Sequence, residues 1–301
     1  MMNMADGEEM IEADTLSCCA SCCITEIDDI KLVPCDGCDL VKYCSDACQE
    51  DHKSEHEEDC KKRAAELRDE LLFKQPECSH LGDCPICTLP LSLDQLKSTM
   101  MACCSKVICL GCWYANRNRQ IEQRRELSCP FCREPIPEND EEYETRRMKR
   151  AEANDPIAMS YEGIQQNNEG NYRSAFEYLT KAAELGESCA HYHLACLYHG
   201  GEGVEKDKGK EVFHWEKAAI AGHPVARHNL GVHEWNSRNI ERAVKHWIIA
   251  ATQGDDDSIK KLMEGFKKGY VEKEELAVAL RAHHAAVDAT KSPQMEAVEN
   301  L

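Results

Sequence analysis

Residues 19–60 read CASCCITEIDDIKLVPCDGCDLVKYCSDACQEDHKSEHEEDC, and the spacing of their cysteines determines how this part of the chain can fold. A Cys-x2-Cys turn brings two sulfurs onto one metal ion, and side chains one helical turn apart point the same way. The candidate ligands are Cys19, Cys22, Cys35, Cys38, Cys44, Cys48, His56 and Cys60. Eight ligands serve two tetrahedral zinc ions.

A second series of cysteines follows, from CPIC at 84–87 to CPFCR at 129–133. Its candidate ligands are Cys84, Cys87, Cys103, Cys104, Cys109, Cys112, Cys129 and Cys132. Together the two series predict about four zinc ions per chain.

The bulk composition narrows the class of protein. The chain has 301 residues, and eighteen of its 20 cysteines lie in the first 132. The first residues are acidic and lack an apolar run, and no apolar stretch could cross a membrane, so we expect a cytoplasmic or nuclear protein. Cysteines in these reducing compartments bind metal more often than they form disulfides, and the Cys-x2-Cys spacing is a poor geometry for a disulfide. A net charge of −19 makes nucleic acid an unfavourable partner.

The first series closely resembles the MYND-type zinc finger, through YCS at 43–45 and the terminal His-x3-Cys. The resemblance implies two interleaved zinc sites and binding of short proline-containing peptides. One site would use Cys19, Cys22, Cys44 and Cys48; the other would use Cys35, Cys38, His56 and Cys60. Cys18 and Cys23 remain alternatives to Cys19 and Cys22, and His52 competes with His56. Ser54 and Glu57 form a capping box that predicts a helix from Ser54, ending before Pro76.

The second series resembles a RING finger in its outer pairs. Where a common RING has histidine, three residues before the fifth ligand, this chain has Lys106, so Cys103 and Cys104 are the available substitutes. Cys104 fits the all-cysteine variants better than Cys103. The resemblance implies one zinc on Cys84, Cys87, Cys109 and Cys112, and another on Cys103, Cys104, Cys129 and Cys132.

RING ligases hold no chemical nucleophile; they bind a charged ubiquitin-conjugating enzyme and position its thioester for attack. The resemblance carries three contact positions over to this chain. Ile86 lies between the first two ligands, Pro130 lies between the last two, and Arg133 follows the last ligand.

A repeat begins at Asp155. The tripeptides KAA at 181–183, KAA at 217–219 and IAA at 249–251 are followed by Gly186, Gly222 and Gly254, which are 36 and 32 residues apart. This period predicts paired helices in a solenoid, with the glycines as helix caps. Gly163, Ala195 and Gly231 share a small-residue register that predicts close helix contacts. We expect the scattered histidines of this half to be packing or surface residues.

Residues 190–221, with YHGGEGV at 198–204, resemble a SEL-like repeat, and the resemblance extends over roughly 155–258. It implies a concave surface that binds peptides or proteins.

We therefore predict a multidomain chain with two small zinc-stabilised α+β modules followed by an all-α helical-repeat solenoid. The boundaries are a disordered acidic N-terminus at 1–16, a MYND-type finger with its helix at 17–75 (the first module), a RING-type finger at 78–140 (the second module), a linker at 141–154, SEL-like repeats with a cap at 155–292, and a tail at 293–301. The predicted function is a zinc-binding protein-interaction protein, either a RING-type ubiquitin ligase or a ligase adaptor. A non-catalytic scaffold or a transcriptional co-regulator is the alternative.

Overall fold

The computed structural model describes residues 18–26 and 30–299. The chain divides into two compact units, residues 1–71 and 72–301, and each is described by itself. The predicted fold class is confirmed, because small two-stranded sheets in cysteine-rich segments precede a long series of paired helices. The predicted acidic segment at 1–16 lies outside the described residues, and the module boundaries stay predictions.

The first unit holds one small sheet and most of one long helix. Strand β1 (Val33–Pro34) pairs antiparallel with β2 (Lys42–Tyr43), and helix α1 runs over Asp46–Leu72. Cys19, Leu32 and Tyr43 form its buried cluster. The helix ends before Pro76 as predicted, but its predicted start at Ser54 is wrong.

The early start of α1 has a local cause. The Ser45 hydroxyl accepts the backbone N–H of Cys48 at 3.3 Å, which stabilises the first turn. Cys48 therefore lies inside the helix rather than in the preceding loop.

The second module lies near the start of the second unit. Strand β3 (Ser98–Met100) pairs antiparallel with β4 (Val107–Cys109), and helix α2 (Leu110–Glu122) follows directly. Helix α3 (Asp140–Glu152) occupies most of the predicted linker. Two contacts anchor it, because Tyr143 donates its hydroxyl to the Met100 carbonyl and Arg147 pairs with Glu162. Residues 140–152 are therefore a packed helix and not a free connection.

The solenoid consists of helix pairs, as predicted. Its helices are α4 (Pro156–Asn168), α5 (Tyr172–Glu184), α6 (Ser188–Gly200), α7 (Lys208–Ile220), α8 (Pro224–Asn236), α9 (Ile240–Thr252), α10 (Asp256–Lys267) and α11 (Lys273–Ala289). Gly186, Gly222 and Gly254 have φ values of 87°, 85° and 93°, the left-handed conformation that glycine adopts without strain. The predicted cap positions are confirmed.

The small-residue register also has its predicted role. A Cβ added at Gly163 would lie 2.6 Å from Leu179 Cγ, and one at Gly231 would lie 2.4 Å from Trp247 Nε1. Both positions allow the second helix of a pair to approach the first closely.

The chain end differs from the predicted tail. Pro293–Glu299 form a short helix, α12, which packs against α2 of the second module. Among the described helices, none carries an apolar stretch long enough to cross a bilayer.

Candidate metal centres

Four thiol-rich groups lie in the part of the chain that the structure describes. The first joins Cys19 and Cys22 to Cys44, just before α1, and to Cys48 in the first turn of α1. The sulfurs of Cys22 and Cys44 lie 3.5 Å apart, and those of Cys44 and Cys48 lie 3.6 Å apart. Zinc–sulfur bonds of about 2.3 Å give tetrahedral edges of about 3.8 Å. The spacing and the donor type therefore fit a zinc ion.

The second group joins Cys35 and Cys38 to His56 and Cys60 of α1. The sulfurs of Cys35 and Cys60 are 3.7 Å apart, and the sulfur of Cys38 is 3.1 Å from Nε2 of His56. These are the two interleaved sets that the MYND resemblance implies.

The alternative ligands of the first module lie elsewhere. Cys18 and Cys23 are exposed and belong to neither group. His52 hydrogen-bonds through Nδ1 to the Tyr43 hydroxyl at 3.0 Å and stacks on the ring of His56. His52 is therefore not a member of the group, but it helps to hold the ring of the candidate ligand His56 in place. The cysteine spacing did not predict this contact.

In the second module, the third group holds Cys84, Cys87, Cys109 and Cys112, and the fourth holds Cys103, Cys104, Cys129 and Cys132. Neighbouring sulfurs lie 3.9 Å apart for Cys87 and Cys109, 3.8 Å for Cys104 and Cys129, and 3.2 Å for Cys103 and Cys132. Cys103 and Cys104, although adjacent in sequence, both belong to the fourth group. The first and third pairs of the series thus combine, and so do the second and fourth.

Backbone N–H groups lower the pKa of some of these thiols by donating hydrogen bonds to the thiolate. Burial opposes charge on Cys19, but the N–H groups of Cys22, Cys44 and Ser21 outweigh it and lower the pKa of its thiol to about 6. Burial also opposes charge on Cys84, yet N–H groups led by that of Cys109 lower its pKa to about 7. The Cys109 N–H lies 3.5 Å from the Cys84 sulfur.

Other thiols of the same groups resist ionisation. Burial, with a further contribution from Cys132, raises the pKa of Cys103. Four neighbouring thiols cannot all become thiolates unless a cation compensates their charge, and a bound divalent metal does so. The donor sets therefore fit zinc, which is held in structural sites by four cysteines or by three cysteines and one histidine.

A fifth group brings together His80, Cys189 and His223 in the second unit, with ligand atoms within 4.8 Å of one another. The rings of His80 and His223 stack, with centroids 4.0 Å apart. Nδ1 of His223 accepts the N–H of Ala226 at 3.3 Å, so the neutral ring carries its proton on Nε2. Metal binding at Nε2 would require that proton to move and the helix cap to break. The geometry favours aromatic packing, the role expected for His223 in the repeat half, whereas the sequence alone leaves His80 as a spare ligand candidate of the second module.

The three predicted contact positions lie on the loops of the second module. Ile86 is 42% exposed, although its neighbour Cys84 is fully buried. Pro130 is half-buried, and Arg133 is exposed with a φ of 64°. Trp113, by contrast, is half-buried and packs against the core of the module.

Met295 is a buried residue of the second module that the sequence pattern did not predict. This residue of α12 is 5% exposed and packs in the same cluster as Cys84, Cys109 and Cys112. No short-range pattern marks it, because it lies far along the chain from those cysteines.

Comparison with known proteins identifies two kinds of module. A family model for the MYND finger matches residues 17–60, and the model for the Sel1 repeat matches 159–187, 190–223 and 224–255. No curated protein matches the chain at a significant level.

Solved structures give partial similarity. One is a Sel1 repeat protein from Oxalobacter formigenes, 26% identical with a TM-score of 0.44, for which the match covers 51% of this chain and 66% of that one. Another is a protective antigen with an SLR fold from uropathogenic Escherichia coli, 22% identical with a TM-score of 0.39, with coverages of 55% and 37%. The chain therefore spans less than two thirds of either protein. It carries a MYND finger followed by Sel1 repeats, which makes it a zinc-binding protein with a role in protein interaction.

Proposed function

We propose that the second module acts as a RING-type ubiquitin ligase module, to which the MYND finger and the helical repeats recruit proteins. One observation carries this proposal. The cysteine pairs of the module combine alternately, while the loop between Cys84 and Cys87 presents the apolar side chain of Ile86 to solvent. Ile86 is exposed between the ligands Cys84 and Cys87, so its side chain is available for contact with a partner and is not used in packing.

The residues of the module divide the work of such a ligase. Zinc, when bound, fixes the ligand loops in place. Ile86 and Pro130 provide the apolar surface on which a conjugating enzyme docks. Arg133 lies beyond the last ligand, where its guanidinium can donate hydrogen bonds to ubiquitin and restrain the thioester. No step requires a nucleophile from this chain.

The test is the discharge of ubiquitin from loaded conjugating enzymes onto free lysine, across a broad panel of those enzymes. Ile86→Ala should weaken enzyme binding, because a central apolar anchor is lost. Arg133→Ala should leave binding nearly unchanged and slow discharge. Leu96→Ala is the matched control, since Leu96 is 83% exposed in a 3₁₀ turn outside the ligand loops.

All three variants should retain the zinc content of the wild type. If the wild type accelerates discharge from no enzyme in the panel, the ligase proposal fails and a non-catalytic scaffold or a transcriptional co-regulator replaces it. If the wild type is active and Arg133→Ala is equally active, the role given to Arg133 is wrong.

We propose that the MYND finger binds proline-containing peptides on the surface around its small sheet. Val33 and Leu40 are 60% and 54% exposed there, and apolar side chains of this kind suit proline rings. Leu40→Asp should abolish binding of a fluorescent proline-rich peptide. Leu71→Asp provides the matched control, because Leu71 is 58% exposed on α1 beyond the finger. Equal binding by both variants would place the peptide site elsewhere.

We propose four zinc ions per chain, one for each thiol-rich group that fits tetrahedral coordination. Metal analysis of protein purified without chelator checks the number, and a content near two would remove one module from the assignment. We place the protein in the cytoplasm or the nucleus, where thiols stay reduced, and cell fractionation tests this.

A further inference from the structure

The C-terminal helix α12 packs on the second module through the side chain of Met295 and through a close backbone contact at Gly111. We call this contact surface of the module the seat. Met295 lies among the buried cysteines of that module. A Cβ added at Gly111 of α2 would lie 2.5 Å from the backbone nitrogen of Met295 and 2.6 Å from the carbonyl carbon of Gln294. Only glycine at position 111 therefore allows the two backbones to approach so closely.

The seat is part of the third thiol group. Gly111 lies between Cys109 and Cys112, both members of that group. The N–H of Cys112 lies 3.4 Å from the Cys109 sulfur, so the turn that contains Gly111 is held by the ligands themselves. A change in the ligand geometry would change the surface on which α12 lies.

Helix α12 has little stability of its own. It has 7 residues, well below the roughly 12–15 that an isolated helix needs in water. Among its described side chains, 293–298, only Met295 is buried. Ser292, buried just before the helix, accepts the N–H of Met295 at 3.0 Å and begins the first turn. The helix is therefore expected to form only when it is docked.

We propose that α12 is a zinc-dependent clasp, whose docking and the binding of zinc by Cys84, Cys87, Cys109 and Cys112 stabilise each other. Zinc at this centre orders Gly111 and creates the seat for Met295. Docked Met295 in turn shields the ligand cluster and slows the loss of zinc. Such coupling is reciprocal, so whatever releases the helix also weakens the metal site.

The clasp links this centre to the end of the solenoid. Only Thr290, Lys291 and Ser292 separate α12 from the long helix α11. Loss of zinc from the third group would therefore free the last segment of the chain while α11 stays in place. The inference rests on the proposed zinc occupancy of this group and not on ligase activity.

The first test measures the release of zinc from the full chain to a colorimetric chelator. Met295→Asp places a charge in the seat, and one zinc ion per chain should then leave about ten- to hundredfold faster, the factor expected from the loss of one buried methionine contact. Met295→Ala should accelerate release in the same direction but less, which separates loss of the contact from misfolding. Gln294→Asp is the matched control, because Gln294 is exposed, and its release curve should follow the wild type.

The second test compares hydrogen exchange of residues 292–299 before and after the metal is removed. Backbone protection of α12 should fall at least tenfold on removal, whereas protection in the middle of the solenoid changes less. Unchanged release from Met295→Asp, or full protection of α12 in stripped protein, would overturn the clasp. A Cys109→Ser variant with the zinc content of the wild type would instead overturn the proposed zinc site, so the two failures can be told apart.

Discussion

Replacing Arg147 by methionine should strongly destabilise the second unit. Arg147 of α3 and Glu162 of α4 are 7% and 3% exposed in their side chains, and Nη2 lies 3.0 Å from Oε2. Oε1 of the same carboxylate accepts the side-chain N–H of Gln166 at 2.9 Å. Both carboxylate oxygens are therefore paired, and Arg147→Met leaves a buried charge with one neutral partner.

The size of the effect follows from this burial. Removing one member of a buried ion pair costs about 3–5 kcal/mol, because the remaining charge has lost its compensation. In a unit of this size, each kcal/mol shifts the melting temperature by about 2–4 °C, so Arg147→Met should melt about 6–20 °C lower. Arg147→Met combined with Glu162→Met should recover most of the loss, since it leaves no buried charge.

Thermal unfolding of the zinc-loaded chain, followed by circular dichroism, measures these shifts. The exposed pair of Arg173 and Glu177, with a 3.6 Å separation, supplies the control, and Arg173→Met should cost under about 0.5 kcal/mol. A loss below about 1 kcal/mol in Arg147→Met would mean that the charge reaches water in solution. A double variant as unstable as the single one would mean that the arginine acts through packing alone.

Three further predictions concern single positions. Cys104→Ser should lower both the zinc content and the melting temperature more than Cys78→Ser, because the Cys104 sulfur lies 3.8 Å from Cys129 whereas Cys78 is exposed; equal effects would put Cys78 in a metal site. Gly231→Ala should cost about 1–3 kcal/mol in urea unfolding, since its methyl group would overlap the indole of Trp247, and a neutral result would mean that the indole moves aside easily. His246 has a pKa lowered to about 3 by burial, so below pH 6.5 the unfolded chain binds a proton that the folded chain refuses. Stability therefore falls as pH falls, by up to about 1.4 kcal/mol per unit, and His246→Leu should reduce this slope relative to the wild type between about pH 6.5 and 5.5.

Local spacing predicted the cysteine pairs, and the resemblances to MYND and RING fingers implied which pairs combine. The pairs in each series and the i, i+4 relation of His56 and Cys60 are short-range, and four such groups occur among the described residues. The helical repeat could also be predicted from the sequence, because small residues and glycines recur at a fixed period and mark the close contacts between the two helices of each pair. Gly231 is an example, since its lack of a side chain is what allows Trp247 to pack there.

The elements that could not be predicted depend on contacts between distant segments. The charged segment 138–153 predicts a linker that can be helical near Arg146–Arg150. The full extent of α3 depends on the contacts of Arg147 with Glu162 and of Tyr143 with the Met100 carbonyl. The short helix α12 reads as a tail, because Met295 is its only buried described side chain and its partners lie far earlier in the chain. Neither set of contacts can be predicted from a short stretch of sequence.

The second module draws part of its core from the rest of the second unit, which is why it and the solenoid occur in one compact body. Half of the residues in its buried cluster are cysteines of the candidate metal groups, and the core of a module of this size is marginal on its own. Its N-terminal segment is held where the N–H of His80 donates to the Gly222 carbonyl at 3.0 Å, next to the cap between α7 and α8. Met295 of α12 packs into the module's buried cluster. Cysteines of the candidate metal groups therefore make up much of the interior of the module, while the repeats provide contacts that a larger domain would find within itself.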